Sequence, residues 1–198
     1  MVRWHQMAET VTIDLSGGSQ QQATDAVGAE PVPVSRRLRR SYEAGHSPKL
    51  LVLVDDTEDC GKAVYYASRR AARIGAKLVL LRVIAPSYGE LEWLSVAEVI
   101  RSEAQQDAQQ LLDRYATFAQ SVAAELPETV IRQGNAAREI FKLIETDEDI
   151  AVLVLAAGPS NKGPGPLVSE LARTAGTYPV PIVIVPAHLG DAELDALS

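Results

Sequence analysis

Cysteine is almost missing from this 198-residue chain: Cys60 stands alone, so no internal disulfide and no Cys-rich zinc site can form. A lone thiol suits a reducing compartment. Histidine is nearly as scarce, and His5, His46 and His188 lie too far apart in sequence to read as a ligand pair. No apolar run approaches the ~20 residues that a membrane helix needs. The first residues also lack the basic segment followed by an apolar core that marks a secretory signal. The expected location is therefore the cytoplasm, with no membrane partner. Basic charge is in deficit as well, with 19 Lys and Arg against 26 Asp and Glu for a net charge of -7 and a pI near 5.0. Nucleic-acid binding depends on clustered basic surface, so no nucleic-acid partner is expected.

What is present divides into three parts. Residues 1–47 carry Ser16-Gly17-Gly18-Ser19, a Gln run at 20–22, Pro31 and Pro33, with little apolar periodicity, and read as a flexible extension. Val11 to Leu15 could form a short strand if a sheet edge were available. Arg36-Arg37-Leu38-Arg39-Arg40 reads as a solvated basic turn or as a docking patch for an anionic partner. Leu15 to Gln20 has the look of a transporter-ATPase signature loop, but that activity needs a G-x-x-x-x-G-K-[ST] loop, which the chain lacks. Residues 48–187 form the expected domain, and residues 188–198 an acidic, weakly helical tail.

Regular alternation begins at Lys49. Leu50 to Val54 is an unbroken apolar run stopped by Asp55-Asp56-Thr57, the pattern of a fully buried strand ending at a polar rim. Thr57 or Asp56 can cap a helix that runs to about Ile74, with Cys60, Val64, Ala67, Ala71 and Ile74 on one face and Gly75 closing it. Lys77 to Ile84 is a second strand. Ser95 to Ala124 is a long helix whose stripe includes Ile100, Ala104, Ala108, Leu111, Leu112, Tyr115, Phe118, Ala119 and Val122. Glu128 to Gln133 is a third strand, Gly134-Asn135 a turn and cap, and Ala136 to Glu145 a helix. Asp147-Glu148-Asp149 reads as a solvated turn, because consecutive carboxylates do not easily converge on a metal. Ile150 to Ala156 is a fourth strand, Leu167 to Ala175 a short helix capped by Gly176, and Val180 to Val185 a last strand. Pro181 within that strand favours a sheet edge.

Strands alternating with helices imply an α/β fold: an open, mostly parallel five-stranded sheet with helices on both faces. If Leu50–Val54 and Ile150–Ala156 are central neighbours, a crevice opens at their C-terminal ends. Asp55-Asp56-Thr57 would wall one side and the loop from Gly158 to Ser169 the other.

The ordered set Val-Asp-Asp-Thr at 54–57, Leu-Arg-Val-Ile at 81–84, Arg-Gln-Gly-Asn-Ala-Ala-Arg-Glu-Ile at 132–140, Leu-Val-Leu-Ala-Ala-Gly at 153–158 and Tyr-Pro-Val-Pro-Ile-Val-Ile-Val-Pro at 178–186 resembles the universal stress protein family over roughly 48–186. The resemblance implies a Rossmann-like sheet of order 3-2-1-4-5. It also implies a non-enzymatic stress-response or signalling role, and a homodimer formed through Val180 to Val185, with a protein partner that the sequence does not identify. One branch of that family binds ATP through G-x2-G-x9-G-[ST]. Carried over, this implies an ATP or AMP site with Asp55, Asp56 and Thr57 at the adenosine side, the Val83 backbone at the adenine edge, Gly158, Gly163 and Gly165 in the phosphate loop, and Ser169 at the helix start. Mg2+ is implied only with a bound nucleotide. Asn161 and Val168 stand where that motif has glycine, and the loop is about three residues shorter.

The loop chemistry leaves two readings open. Phosphate cradles aim backbone N–H groups at the anion, and Pro159, Pro164 and Pro166 remove three such donors. Asp55, Asp56, Glu58 and Asp59 oppose a polyphosphate unless a divalent cation bridges them. A rigid capped turn and a weakened nucleotide site both fit. The alternative function is a small nucleotide-dependent enzyme, an ATPase or nucleotidyl transferase, for which Asp55 and Asp56 are the candidate groups; successive residues leaving a strand tend to point apart.

Overall fold

Apolar runs and helical stripes alternate along this chain because the inner strands are buried on both sides by the helices that connect strand to strand. A computed structural model describes residues 38–86, 94–158 and 163–198. The elements are β1 (Lys49–Leu53), α1 (Cys60–Ile74), β2 (Lys77–Ile84), α2 (Leu94–Ala123), β3 (Glu128–Gln133), α3 (Ala136–Thr146), β4 (Ile150–Ala157), α4 (Pro166–Thr174), β5 (Ile182–Pro186) and α5 (Asp191–Leu197). The five strands form one sheet in the order β3-β2-β1-β4-β5, every pairing parallel. The α/β architecture and the strand order match the sequence expectation.

The sheet separates two cores. Leu50 and Val52 of β1, and Val54 just past its end, join Leu78 and Leu80 of β2 and pack with Val64 and Ala67 of α1 and Leu112 and Ala119 of α2. Leu51 and Leu53 point the other way, with Val79, Leu81, Leu153 and Leu155, toward Ile140 and Ile144 of α3 and Leu171 of α4. This is the period-two alternation of a strand covered on both faces. At the start of β4 the alternation breaks. Lys49 pairs with Ile150 but Leu50 pairs with Val152, so Ala151 is an extra residue. That bulge turns Ile150 into the same core as Leu153.

Several boundaries differ from the sequence reading, each for a local reason. Asp59, not Thr57 or Asp56, occupies the N-cap of α1, and its side chain makes no cap bond. The two expected caps are engaged elsewhere, Asp56 with Arg82 and the Thr57 hydroxyl with Asp55. Ile74, in the last turn of α1, lies partly in solvent. Gly176 does not cap α4; it sits inside a 3-10 turn, Ala175–Thr177, that tightens the helix end. The last strand begins at Ile182 instead of Val180. Pro179 and Pro181 have no N–H to donate, and the Pro181 carbonyl starts the pairing by accepting from Leu153 N at 3.0 Å. β5 remains a sheet edge. The stripe on α2 is buried mainly between Ala108 and Ala119, whereas Ile100 is 47% exposed. Ala124 ends that helix with φ 61°, a left-handed residue where glycine would be unstrained.

The described residues lie within one compact unit, and residues 38–47, which the sequence assigns to the extension, are anchored to it. Arg39 Nη1 donates to the Ile144 and Asp147 carbonyls at 2.5 and 3.0 Å, a cation on the last carbonyls of α3, where the helix dipole favours it. Arg40 N donates to the Glu148 carbonyl. His46 Nδ1 lies 2.5 Å from Asp149 Oδ1. Lys49 bridges Asp147 and Glu128; burial works against its charge, but these two carboxylates outweigh it and raise its pKa. The turn read as solvated, Asp147 to Asp149, is therefore the receptor for this arm: Arg39 meets backbone carbonyls there, and Arg40 pairs with Glu43 and Glu148. Arg36, Arg37 and the Val11–Leu15 segment lie outside the described residues. At the other end, the tail contains a packed helix: Leu194 is buried, and Asp195 accepts from Tyr65 Oη and Arg69 Nε on α1.

Candidate functional site

The C-terminal rim of the sheet is built first by the exit of β1. Val54 continues the ladder by donating to the Leu81 carbonyl at 2.8 Å. The next N–H, that of Asp55, donates to Cys60 Sγ at 3.5 Å. The Asp55 carboxylate folds back on its own loop, where Oδ1 accepts from Thr57 N at 2.9 Å and from the Thr57 hydroxyl. This local Asx turn fixes the carboxylate before any ligand arrives. Both bonds use Oδ1, so Oδ2 is the oxygen left to meet a ligand. Asp56 turns away to pair with Arg82 Nη2 at 2.6 Å, although its side chain is 74% exposed.

Val83, on β2, pairs with Arg132 of β3 and contributes its side chain to the α3–α4 face, opposite to the face of Arg82. Across the rim, Ala157 ends β4 and Gly158 opens the loop. A Cβ on Gly158 would stand 3.3 Å from the Gly163 carbonyl, so these two glycines bring the loop's ends into close approach. Gly163 and Gly165 hold φ of 75° and 93°, which side chains rarely adopt. Pro166 begins α4 at a position where a missing N–H costs nothing. Ser169 N and Oγ both turn back to the Gly165 carbonyl, at 3.1 and 2.8 Å. The hydroxyl is thus part of the helix turn and must rotate to reach a phosphate. Leu167 and Val168 are the first-turn residues whose N–H groups have no partner within the helix.

A cleft of about 560 Å3 opens at this rim, lined by Glu58, Asp59, Ala157, Gly158, Gly163, Pro164, Pro186, Ala187 and His188. It contains Gly158 and Gly163 from the expected set; Asp55, Asp56, Thr57, Val83, Gly165 and Ser169 are not in its lining. The concavity sits toward the ends of β4 and β5 beside the start of α1, one strand further along than the crevice expected between β1 and β4. Glu58 and Asp59, which the sequence sets across the crevice, line this cleft, whereas His188 and Arg82 are residues the sequence reading did not place. For His188 a signal existed, since it lies two residues past the last strand, at the end where α/β sheets bind ligands. The Asp56–Arg82 pair left no trace in sequence spacing.

Below the rim, Cys60 is fully buried at the first turn of α1. Burial pushes its thiol up to about 11, with the nearby Asp55 charge acting in the same direction. Tyr115, beside it, rises to about 12, again chiefly through burial and then through Cys60. The folded state thus favours the neutral thiol, while the unfolded chain releases that proton from about pH 9 upward. The contribution of this thiol to stability is constant below about pH 9 and falls between pH 9 and 11, by on the order of 2 kcal/mol. Urea denaturation should show that loss in the parent chain and a smaller one in Cys60→Ala. Thiol reagents should react slowly with the native protein at pH 8.

Among the described residues no group of three or more His, Cys, Asp or Glu could hold a metal ion, and no helix is long and apolar enough to cross a membrane. Asp55 and Asp56 do not converge, since one is held by Thr57 and the other by Arg82.

The universal stress protein family model matches residues 47–186. No curated protein sequence matches the chain. Among solved structures, the universal stress protein UspA from Lactobacillus plantarum is 20% identical, with TM-score 0.61, covering 70% of this chain and 97% of that one. A universal stress protein family member from Burkholderia pseudomallei is 15% identical, with TM-score 0.53 and coverage of 70% and 95%. A family protein from Arabidopsis thaliana, solved with AMP bound, is 16% identical, with TM-score 0.50 and coverage of 70% and 91%.

Proposed function

The chain belongs to the universal stress protein family, and from that premise we propose that it is a non-enzymatic stress-response protein of the cytoplasm. In this reading it acts as a homodimer and senses an adenine nucleotide at the C-terminal rim of its sheet. The observation that carries the ligand reading is Asp55: its carboxylate is oriented at the end of a central strand by Thr57, with one oxygen left to accept from an adenosine. Gly158, Gly163 and Gly165 supply a loop of unhindered backbone for the phosphate side. AMP, the ligand of the Arabidopsis thaliana relative, suits this rim better than ATP. A single phosphate needs few N–H donors, and the loop has lost three to proline; further phosphates would meet the charges of Glu58 and Asp59. ATP would bind with Mg2+ to screen those carboxylates.

Calorimetric titration of the full chain with AMP, and with ATP in the presence and absence of Mg2+, tests the reading. The expected result is AMP binding without turnover, and ATP binding that strengthens with Mg2+. No heat with any nucleotide would remove the ligand from the proposal. Hydrolysis of ATP would instead support the nucleotide-dependent enzyme.

For the dimer, β5 is an outer strand and Ile184 on it is 40% exposed; an apolar edge of this kind pairs readily with another copy. Ile184→Lys is expected to shift the protein to monomer in analytical ultracentrifugation. A variant that sediments like the parent dimer would move the interface elsewhere.

A further inference from the structure

We propose that Arg82 is a positioning residue: through Asp56 and the Val54 carbonyl it holds the β1–α1 loop in the conformation that presents Asp55. The functional half of this statement rests on the nucleotide reading above.

Arg82 sits on β2 in the row of Leu78 and Leu80, the row that faces α1 and α2. A guanidinium at the end of a buried row must leave along the sheet, and here it leaves over the C-terminal end of β1. Nη2 pairs with Asp56 at 2.6 Å, and Nη1 lies 3.4 Å from the Val54 carbonyl. The two contacts therefore fall on the residues immediately before and after Asp55. Cys60 Sγ takes the Asp55 N–H and Thr57 takes its Oδ1, so Asp55 is fixed on every side by groups that leave Oδ2 available. The Arg82 Nε is buried with no hydrogen-bond partner. A stranded donor is a cost, and the orientation persists because the fork, planar and rigid, reaches both rim contacts at once. Lysine, a single point charge, could reach one of them.

Asp56 is mostly exposed, so its pair with Arg82 contributes little to overall stability. What it can control is the loop's population of the binding-competent shape, which scales the apparent affinity directly.

The test uses the full chain with Asp56→Ala, Arg82→Ala, Arg82→Lys and the Asp56/Arg82 double variant. Two readouts are followed: hydrogen exchange of residues 55–59 without nucleotide, and AMP affinity. Asp56→Ala and Arg82→Ala should each speed exchange in the loop and weaken AMP by about three- to tenfold. The double variant should be no worse than Arg82→Ala alone, since both remove one interaction. Arg82→Lys should recover part of the protection. Because Asp56 is exposed, Asp56→Ala keeps the test open if Arg82→Ala folds poorly. Unchanged exchange in Asp56→Ala, or additive effects in the double variant, would overturn the assignment. So would Asp56→Ala tightening AMP while leaving adenosine unchanged, which would make Arg82 a phosphate contact restrained by Asp56. Failure of the parent chain to bind AMP would sink the nucleotide reading separately, and loop exchange would still decide whether Arg82 holds the loop.

Discussion

Asp55→Ala is expected to weaken AMP binding by at least about tenfold, the loss that follows from removing a hydrogen bond to a charged group. The same substitution releases the Thr57 N–H and hydroxyl, which have Asp55 Oδ1 as their acceptor. Both are near the surface and water can replace the partner, so the stability loss should stay near 1 kcal/mol, or about 2–4 °C in Tm for a domain of this size. Asp55→Asn separates the two effects. It keeps an acceptor for Thr57 and so should keep the melting temperature, while losing the charge that strengthens a bond to the ligand. Calorimetry and thermal denaturation of both variants provide the check; equal AMP affinity in Asp55→Ala and the parent chain would place the ligand away from β1.

Leu112→Ala should cost about 3 kcal/mol in urea denaturation, whereas Ile100→Ala should cost less than about 1 kcal/mol. In the sequence the two residues belong to the same apolar stripe. In the structure Leu112 is fully buried against α1 and the sheet, and Ile100 lies 47% exposed in the first part of α2. Removing the Leu112 side chain leaves a cavity in a core that is held by rigid strands and cannot collapse into it. Removing the Ile100 side chain leaves water where water already reached. Similar losses in the two variants would mean that the first turns of α2 are covered in solution.

The same contrast separates the legible from the illegible at the rim. Asp55, Gly158, Gly163 and Gly165 were readable because each answers to a local rule: a carboxylate ending a buried run, and glycines around prolines. The structure gives Asp55 a fixed orientation and gives Gly163 and Gly165 the left-handed backbone that the rule anticipates. Arg82 was not readable as a loop anchor, because its partner Asp56 is 26 residues away and no period connects them. The anchoring of the arm at 38–47 is illegible in the sequence for a related reason. Its composition is that of a solvated segment, and its anchors, the carbonyls and carboxylates at the end of α3, are more than 100 residues away.

Alone, the sequence determined the alternation of strands and helices, the α/β class and the strand order implied by its family resemblance. The first two follow from hydrophobic period and chain order, which are properties of neighbours along the chain; the strand order came only through the resemblance, and the structure shows it. The tertiary structure decided which half of the α2 stripe is core, where the arm docks, why α1 starts at Cys60, and that the open cleft lies toward β4 and β5. It alone decided each of these because each depends on a side chain finding a partner, or failing to find one, across the sheet.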